Sequence, residues 1–386
     1  MKHAAVHHIT KRGKTPMKRI KVGIIGQGRS GRNIHRHLFE CSPLLQERFD
    51  VVAVADPISE RTAPTNPGAD PACRRYADYK EILKDKDVEL VVNACRSHKH
   101  VDIAIEAMQA GYNVVCEKPL TRRVSEVDRL LKVKDETGRF FAVFQQARFR
   151  PLYRKIFEVI QSGVLGRIAM VKVAYNGFGR RWDWQTIQDL CAGELLNTAP
   201  HPLDQMVELW ESFGETDPER IFAKLARINN YGDAEDFVKV ILEGKDHPVI
   251  DLEVTKECLF PTYQYQVFGE KGSLVGNGET VEWKYYNPAE AGSHEVSIAP
   301  IEDPARLPIY CSEKLNFYSE KWTCPPEASS FDDWGTKYYL NIYDAITKGT
   351  PIAVKLSQIR RQIAIIEECH KQNPLPKFVK VPEGTL

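Results

Sequence analysis

The sequence lacks both a charge excess and a long apolar segment. Among its 386 residues, 53 are Lys or Arg and 52 are Asp or Glu, so the formal net charge is +1. This balance gives no electrostatic reason to expect nucleic acid or an anionic membrane as a partner. No apolar run approaches the roughly 18 residues that a membrane-spanning helix needs. The first 19 residues also lack the apolar core of a secretory signal, so we expect a cytoplasmic protein.

Paired cysteines are missing as well. The nine cysteines are scattered, and none of them forms a C-x-x-C pair or stands at the spacing of a metal site. A chain of this length does not depend on a disulfide framework, and reduced thiols are typical of the cytosol. We therefore predict free cysteines and no metal. The length predicts two domains, because one hydrophobic core rarely serves more than about 300 residues.

The glycines near the start form a phosphate-binding pattern. The run Ile20–Ile25 is typical of a buried parallel strand and leads directly into Gly26-x-Gly28-x-x-Gly31. In such a turn the first glycine permits the change of direction, the second admits a pyrophosphate, and the third packs the next helix against the strand. The helix N-terminus then offers free N–H groups to the phosphates. A plain glycine turn is the alternative, but the pattern predicts a dinucleotide site at Gly26, Gln27, Gly28, Arg29, Ser30 and Gly31.

The end of the second strand predicts which dinucleotide binds. Asp56 follows a β-branched run, about 25 residues after the glycine turn, where an acidic residue binds the adenosine ribose. A carboxylate at this point repels a 2′-phosphate, so NAD is favoured over NADP. Arg61 and Arg29 leave a phosphate-binding alternative open, and an aspartate that caps a helix is the other alternative.

Strands alternate with helices up to residue 145, which predicts a doubly wound parallel sheet of the α/β class. Prolines and a glycine between residues 58 and 75 predict a loop or a short helix there. Ligands of such sheets bind at the carboxyl ends of the strands. The candidate cofactor ligands after these strands are Asn93, Ala94, Cys95, Arg96, His98, His100, Glu117, Lys118 and Gln146.

The second half has a different pattern. Several strand-like runs follow one another between residues 168 and 275, with few helices, and predict an α+β domain with an antiparallel or mixed sheet. Residues 280–335 are rich in Pro, Gly, Trp and Tyr, and we expect them to be irregular. Closing helices are predicted over 338–347 and 356–371.

Lys118 is the first candidate catalytic residue. It follows the strand Asn113–Cys116, whose end should face the nicotinamide, and it stands between Glu117 and Pro119. An ammonium group there can bind a substrate hydroxyl and assist its proton transfer, because burial beside a positive nicotinamide lowers the pKa of the lysine. A surface lysine is the alternative.

A helical segment that begins at Glu194 carries further candidates. At helical spacing, Asn197 and His201 stand four residues apart on one face, and Asp204 follows three residues later. His201 can donate or accept a proton, and a structural histidine is the alternative. The segment 179–185 adds tryptophans that can stack on a sugar and polar groups that can bind hydroxyls or an acidic group. These tryptophans can instead simply pack; the candidate substrate contacts are Arg181, Trp182, Trp184 and Gln185.

Together these motifs resemble the glucose–fructose oxidoreductase / inositol dehydrogenase / MocA family, over residues 20–372. The resemblance rests on the glycine turn, on Ala55-Asp56-Pro57, on Glu117-Lys118-Pro119, on the helix with His201, and on the flanking segments 145–149 and 160–166. It implies a Rossmann domain over 20–145 and an α/β domain with a large, mostly antiparallel open sheet over 146–372. Disordered residues 1–19 and a C-terminal tail over 373–386 would flank them. Homodimers or homotetramers would form through this large sheet.

The resemblance further implies an NAD-dependent dehydrogenase that oxidises a secondary hydroxyl of a sugar or polyol. Lys118 and His201 would lie at the reacting carbon, Arg148 would border the substrate, and the Lys118–Pro119 peptide would be cis. Family members commonly carry Asp where this chain has Asn197, which binds hydroxyls but cannot exchange a proton at neutral pH. Two alternatives remain: a redox-neutral glycoside hydrolase or lyase with tightly bound NAD, and an NAD-binding sensor without catalysis.

Overall fold

The computed structural model describes residues 18–64 and 66–382, and two sheets organise them. The first sheet is six-stranded, parallel throughout, and has the order β3-β2-β1-β4-β5-β6. Its central strands are buried on both faces, as near-continuous apolar runs predict. The strands are β1 Ile20–Ile25, β2 Phe49–Ala55, β3 Arg74–Tyr76, β4 Leu90–Asn93, β5 Asn113–Cys116 and β6 Phe141–Val143.

Short helices cover the first sheet. A π-helical turn, Gly31–Arg36, leads from the glycine turn into the first of them. Between β2 and β3 the described residues form one short 3-10 helix, Ser59–Thr62, which confirms the prediction of a loop or a short helix there. The helices of this half are α1 His37–Cys41, α2 Pro43–Gln46, α3 Tyr79–Ile82, α4 His100–Gln109 and α5 Val124–Thr137.

The second sheet has eight strands in the order β14-β13-β12-β11-β7-β10-β9-β8, and only the pair β7–β10 is parallel. The predicted combination of a Rossmann sheet with a large, mostly antiparallel sheet is therefore confirmed. The strands are β7 Ile168–Asn176, β8 Arg220–Ala226, β9 Phe237–Glu243, β10 Val249–Thr255, β11 Tyr265–Gly269, β12 Gly272–Asn277, β13 Thr280–Tyr286 and β14 Phe317–Thr323.

The expectation of an irregular region over 280–335 is wrong for its two strands. β13 alternates buried Val281 and Trp283 with exposed residues, because only one face of the sheet is covered. β14 is exposed along nearly its whole length and has no apolar period, so its pairing with β13 alone makes it a strand. The helices of this half are α6 Pro151–Gln161, α7 Glu194–Asn197, α8 Pro200–Glu211, α9 Phe331–Lys348 and α10 Leu356–Gln372.

Helix α9 returns from the second sheet to pack against the first. Its Tyr338 hydroxyl donates to the carbonyl oxygen of Val143 at 2.9 Å, and Tyr339 packs tilted against Phe39. In the described residues no helix is both long enough and apolar enough to cross a membrane. The disordered segment predicted for residues 1–19 lies outside the described residues up to position 17. Of the predicted C-terminal tail, the part up to residue 382 is described, and the N–H groups of Phe378 and Val379 donate to Asp233.

Candidate functional site

The glycine turn between β1 and the following helix is packed as a dinucleotide site requires. Gly26 has a φ of +83°, and a Cβ there would lie 2.5 Å from the carbonyl oxygen of Ala94. A Cβ on Gly31 would lie 1.7 Å from the carbonyl oxygen of Gly26, so the helix reaches the turn only without a side chain. Gly28, in contrast, faces open space within 4 Å. That opening, at a helix N-terminus, fits the pyrophosphate of a dinucleotide.

Asp56 lies beside this turn and is held by two backbone groups. Its Oδ2 accepts a hydrogen bond from Gln27 N at 2.8 Å, and its Oδ1 accepts one from Ile58 N at 2.9 Å. Each carboxylate oxygen keeps acceptor capacity for a ribose hydroxyl. The Asp56 side chain caps no helix among the described residues, since the next helical turn begins at Ser59 after Ile58. Arg61 lies 3.9 Å from Asp56 Oδ1, half-exposed.

Two of the predicted cofactor ligands, Asn93 and His100, form hydrogen bonds within the protein. Asn93 Nδ2 donates to the carbonyl oxygen of His100, and the ring nitrogens of His100 lie 2.7 Å from Pro119 O and 3.1 Å from Cys95 O. Both side chains are buried, and burial lowers the pKa of His100. The polar atoms of the Asn93 and His100 side chains therefore tie the strand ends together, and the cofactor contact predicted for these two residues stays a prediction. Ala94 and Cys95 lie between them, while Arg96 is exposed, His98 is half-buried and Gln146 is buried.

Glu117 belongs to a buried array that the sequence did not reveal. Its Oε1 lies 3.1 Å from His35 Nε2, and the Tyr339 hydroxyl lies 2.6 Å from His35 Nδ1. Its Oε2 accepts a hydrogen bond from Lys118 N at 2.9 Å. Burial acts to raise the pKa of Glu117, but His35 and Lys118 outweigh it and lower that pKa to about 2. The array spans 304 residues between His35 and Tyr339, so no local pattern could have indicated it.

Lys118 stands at the end of β5 and reaches across to the second sheet. Its Nζ donates to the carbonyl oxygen of Asn197 at 2.7 Å, and the Lys118–Pro119 peptide is cis, as the family resemblance implied. Burial lowers the pKa of Lys118. Arg29 and Arg181 act in the same direction, whereas Glu117 and Glu194 oppose them. A lysine with a lowered pKa, at the carboxyl end of a parallel strand, is suited to proton transfer.

The single helix predicted from Glu194 is wrong, because α7 ends at Asn197 and α8 begins at Pro200. Pro200 has no N–H, and its ring would clash with the carbonyl oxygen four residues earlier in a continuous helix. The break frees the Asn197 carbonyl oxygen for Lys118. The side chains of this segment still meet, since Gln185 Nε2 donates to Asn197 Oδ1 at 3.3 Å and Arg181 donates to Gln185 Oε1.

His201 follows on the first turn of α8. Its Nδ1 is buried and finds no hydrogen-bond partner in residues 18–64 and 66–382. Burial and the neighbouring Lys118 ammonium lower the pKa of His201 to about 3. The ring keeps an intermediate exposure, which moderates the effect of burial, but both causes favour the neutral imidazole. A neutral ring with a free nitrogen can donate or accept one hydrogen bond.

Arg148 binds other residues of the chain, and its predicted contact with the substrate stays a prediction. Its guanidinium is 2 % exposed and forms two hydrogen bonds to the Asp204 carboxylate, at 2.8 Å and 2.6 Å. A third bond goes to Gln358 Oε1. Asp204 is therefore also withdrawn from the polar face predicted for it. The pair fixes α8 against α10, because both charges are buried and each satisfies the other.

The segment 179–185, which contains Trp182 and Trp184, forms the outer wall of the candidate site. Trp182 is 78 % exposed, and its ring centroid lies 6.3 Å from that of Tyr231. Trp184 is half-buried and begins a short 3-10 helix that ends at Thr186. An exposed Trp face beside the polar array of Arg181, Gln185 and Asn197 leaves the stacking role predicted for Trp182 open.

Two family models match the chain. Residues 20–145 match the oxidoreductase family with an NAD-binding Rossmann fold, and residues 153–275 match the GFO/IDH/MocA C-terminal domain. The chain belongs to the Gfo/Idh/MocA family. It is thus a member of a family of oxidoreductases with an NAD-binding Rossmann fold, and the glycine turn and the strand ends described above lie within the matched segment 20–145.

Several relatives share this architecture. An uncharacterized oxidoreductase of Schizosaccharomyces pombe is 25% identical, over 95% of this chain and 100% of its own length. The scyllo-inositol 2-dehydrogenase (NADP(+)) of Bacillus subtilis is 26% identical, over 69% of this chain and 71% of its own. The crystal structure of an NAD-binding protein from Listeria innocua has the same fold, with a TM-score of 0.70 and 20% identity over 94% of this chain and 100% of that one.

Proposed function

We propose that this protein is an NAD-dependent dehydrogenase that oxidises a secondary hydroxyl of a sugar, polyol or sugar derivative. The observation that carries the proposal is the position of Lys118, which stands at a Rossmann strand end and bonds to Asn197, the last residue of the short helix α7. Three polar side chains, Lys118, Asn197 and His201, lie close together there, because Lys118 bonds to Asn197 and its charge reaches His201. The inositol dehydrogenase among the relatives supports a polyol substrate.

Each of the three side chains has a task that its surroundings allow. Lys118 Nζ binds the reacting hydroxyl and takes up its proton, because the lowered pKa makes the neutral amine accessible. Asn197 Oδ1 already accepts from Gln185, which leaves Nδ2 to donate to a substrate oxygen. The neutral His201 ring holds a second hydroxyl and fixes the orientation of the carbon that reacts.

The cofactor fits the glycine turn and would be held by the backbone around Gly28 and by Asp56. When bound, NAD supplies the two-electron acceptor for the substrate carbon. We propose NAD rather than NADP, because the Asp56 carboxylate, bonded to Gln27 N in the turn and to Ile58 N, brings a negative charge to the ribose position. Arg61 is half-exposed and lies 3.9 Å from Asp56. Its positive charge offsets part of the negative charge at the ribose position but does not reverse it.

The test is the accumulation of NADH when the purified protein is mixed with NAD and single members of a panel of polyols, aldoses, uronic acids and glycosides. Lys118→Ala should lower the rate by a factor of about 10² to 10⁴, as the loss of a positioned acid–base group does. Lys132→Ala, on the exposed face of α5, is the matched control and should leave the rate unchanged. Equal rates in wild type and Lys118→Ala would contradict the assignment.

The redox-neutral alternative rests on Asn197, which carries no carboxylate. Its signature would be disappearance of a glycoside without NADH accumulation, and with NAD that stays on the purified protein. Binding of NADH without turnover of any compound would instead favour the sensor. The same panel therefore separates the three functions.

A further inference from the structure

We propose that Glu194, together with Lys256, binds a second hydroxyl group of the substrate, at the inner wall of the cleft. This inference rests on the proposed function, since it assigns a specificity-determining pair within the same site. It narrows the ligand to a polyhydroxylated carbon skeleton that enters with one hydroxyl pointing away from Lys118.

The first observation is an acidic oxygen with unused acceptor capacity. Glu194 opens α7 and is 5 % exposed. Its Oε2 lies 3.5 Å from Lys256 Nζ but accepts no hydrogen bond from any residue of the described chain. A buried carboxylate oxygen in this position is costly unless a donor reaches it. A ligand hydroxyl is such a donor.

The second observation is the cavity that this oxygen borders. Its wall includes Glu194 and Lys256 together with Arg181, Gln185, Thr186 and Asn230. The cavity has room for about one water-sized group, which matches a hydroxyl and excludes a carboxylate or a phosphate.

The cavity and the candidate reacting site share one residue, Gln185. Gln185 lies in the cavity wall and donates to Asn197 Oδ1, while the Asn197 carbonyl oxygen accepts from Lys118. One side chain thus separates Glu194 from the group that would handle the reacting hydroxyl. A substrate with hydroxyls on neighbouring carbons can reach both places.

The charges around the cavity disfavour a ligand anion. Three carboxylates, those of Glu194, Glu235 and Asp236, line the cavity together with the cations of Arg181 and Lys256. Lys256 pairs with Glu194, and backbone N–H groups donate to Asp236. A hydroxyl can donate to the Glu194 oxygen and accept from the Lys256 ammonium at the same time, and both bonds are charge-assisted. A ligand anion would face Glu194 at close range, and a ligand cation would face Lys256.

The experiment measures binding rather than turnover. The NADH-saturated protein is titrated calorimetrically with myo-inositol, D-glucose and D-glucuronate, in wild type and in Glu194→Gln. We expect Glu194→Gln to raise the Kd of the tightest-bound of these sugars by about tenfold, because a charge-assisted hydrogen bond becomes a neutral one. Glu253→Gln is the matched control. Glu253, on β10 and outside the cavity wall, lies 3.3 Å from Lys239 on β9, and this change should leave the Kd within about twofold.

A second variant keeps the test decisive if Glu194→Gln folds poorly. Lys256→Met keeps an unbranched side chain that is one atom shorter and removes the donor, so it should also weaken binding. A monodeoxy analogue of the best ligand, lacking the hydroxyl in question, should bind more weakly to wild type and show no further loss in Glu194→Gln. Equal sugar affinity in wild type and Glu194→Gln would overturn the inference while leaving the dehydrogenase proposal intact. Binding of NADH without binding or oxidation of any sugar by the wild type would overturn both.

Discussion

The Nζ of Lys118 donates a hydrogen bond to the carbonyl oxygen of Asn197 at 2.7 Å, across 79 residues of sequence. This bond joins the end of a strand in the Rossmann sheet to a short helix beside the second sheet. The helix break before Pro200 is what leaves that carbonyl oxygen available. The position of the candidate catalytic lysine therefore depends on both sheets at once.

The charges around Lys118 predict opposite pH shifts for two variants. Arg181 lowers the pKa of Lys118 and Glu194 raises it, beside the effects of burial, Glu117 and Arg29. If the neutral amine takes up the substrate proton, the oxidation rate rises with pH through this pKa. Arg181→Gln should move that rise to higher pH, and Glu194→Gln should move it to lower pH. Arg180→Gln is the control for Arg181→Gln in pH–rate profiles of kcat, because the Arg180 guanidinium lies over the Tyr231 ring. Shifts of both variants in the same direction would contradict the expectation.

Asp56 should determine the choice between NAD and NADP. Asp56→Ser removes the negative charge beside the ribose position and should raise the ratio of kcat/KM for NADP to that for NAD by about tenfold or more, equivalent to about 1.4 kcal/mol. Asp50→Ser, at the opposite end of β2, removes the same charge far from the turn and should leave the ratio unchanged. An unchanged ratio in Asp56→Ser would show that this carboxylate does not set the selectivity.

The buried pair of Arg148 and Asp204 should matter for stability rather than for substrate binding. Arg148→Ala leaves the Asp204 charge without its partner at 1 % exposure, and we expect a loss of about 3 to 5 kcal/mol in the free energy of unfolding. Denaturant titration measures it. Arg154→Ala is the control, since this arginine pairs with Glu208 at a partly exposed site and should cost about 1 kcal/mol or less. A raised KM with unchanged stability in Arg148→Ala would support the substrate role.

Glu235 should make the stability of the protein depend on pH. Burial raises its pKa from 4.5 to about 7, although Leu195 N donates to Oε1 at 3.1 Å. Because the folded-state pKa lies above the unfolded one, this contribution is fully present below about pH 4.5 and is lost as the pH rises through 7. Compared with Glu235→Gln, wild type should lose up to about 3 kcal/mol of unfolding free energy between pH 5 and pH 8. Glu243→Gln, on β9, serves as the control in thermal scans at both values. If Glu235→Gln lost as much unfolding free energy between the two pH values as wild type does, another group would cause the pH dependence.

The local sequence determined the parts of this protein that depend on neighbours in the chain. The glycine turn was predictable because its three glycines act within one strand-to-helix connection, and the structure shows close packing at Gly26 and Gly31. The alternation of strands and helices predicted the parallel sheet, since buried parallel strands are apolar on both faces. Lys118 was predictable as a strand-end residue for the same reason.

Only the tertiary structure decided which polar side chains are free to act. Sequence spacing could not show whether Arg148 contacts the substrate. A guanidinium shortly after a strand can face either a binding site or an acidic partner on a helix that is distant in sequence. The structure places Arg148 against Asp204 and leaves Glu194 with an oxygen that accepts no hydrogen bond in the described chain. Likewise, strand β14 and the array of His35 with Glu117 depend on partners far away in sequence. Long-range pairing, not local propensity, selects these contacts, because a buried polar group is stable only where a partner meets it.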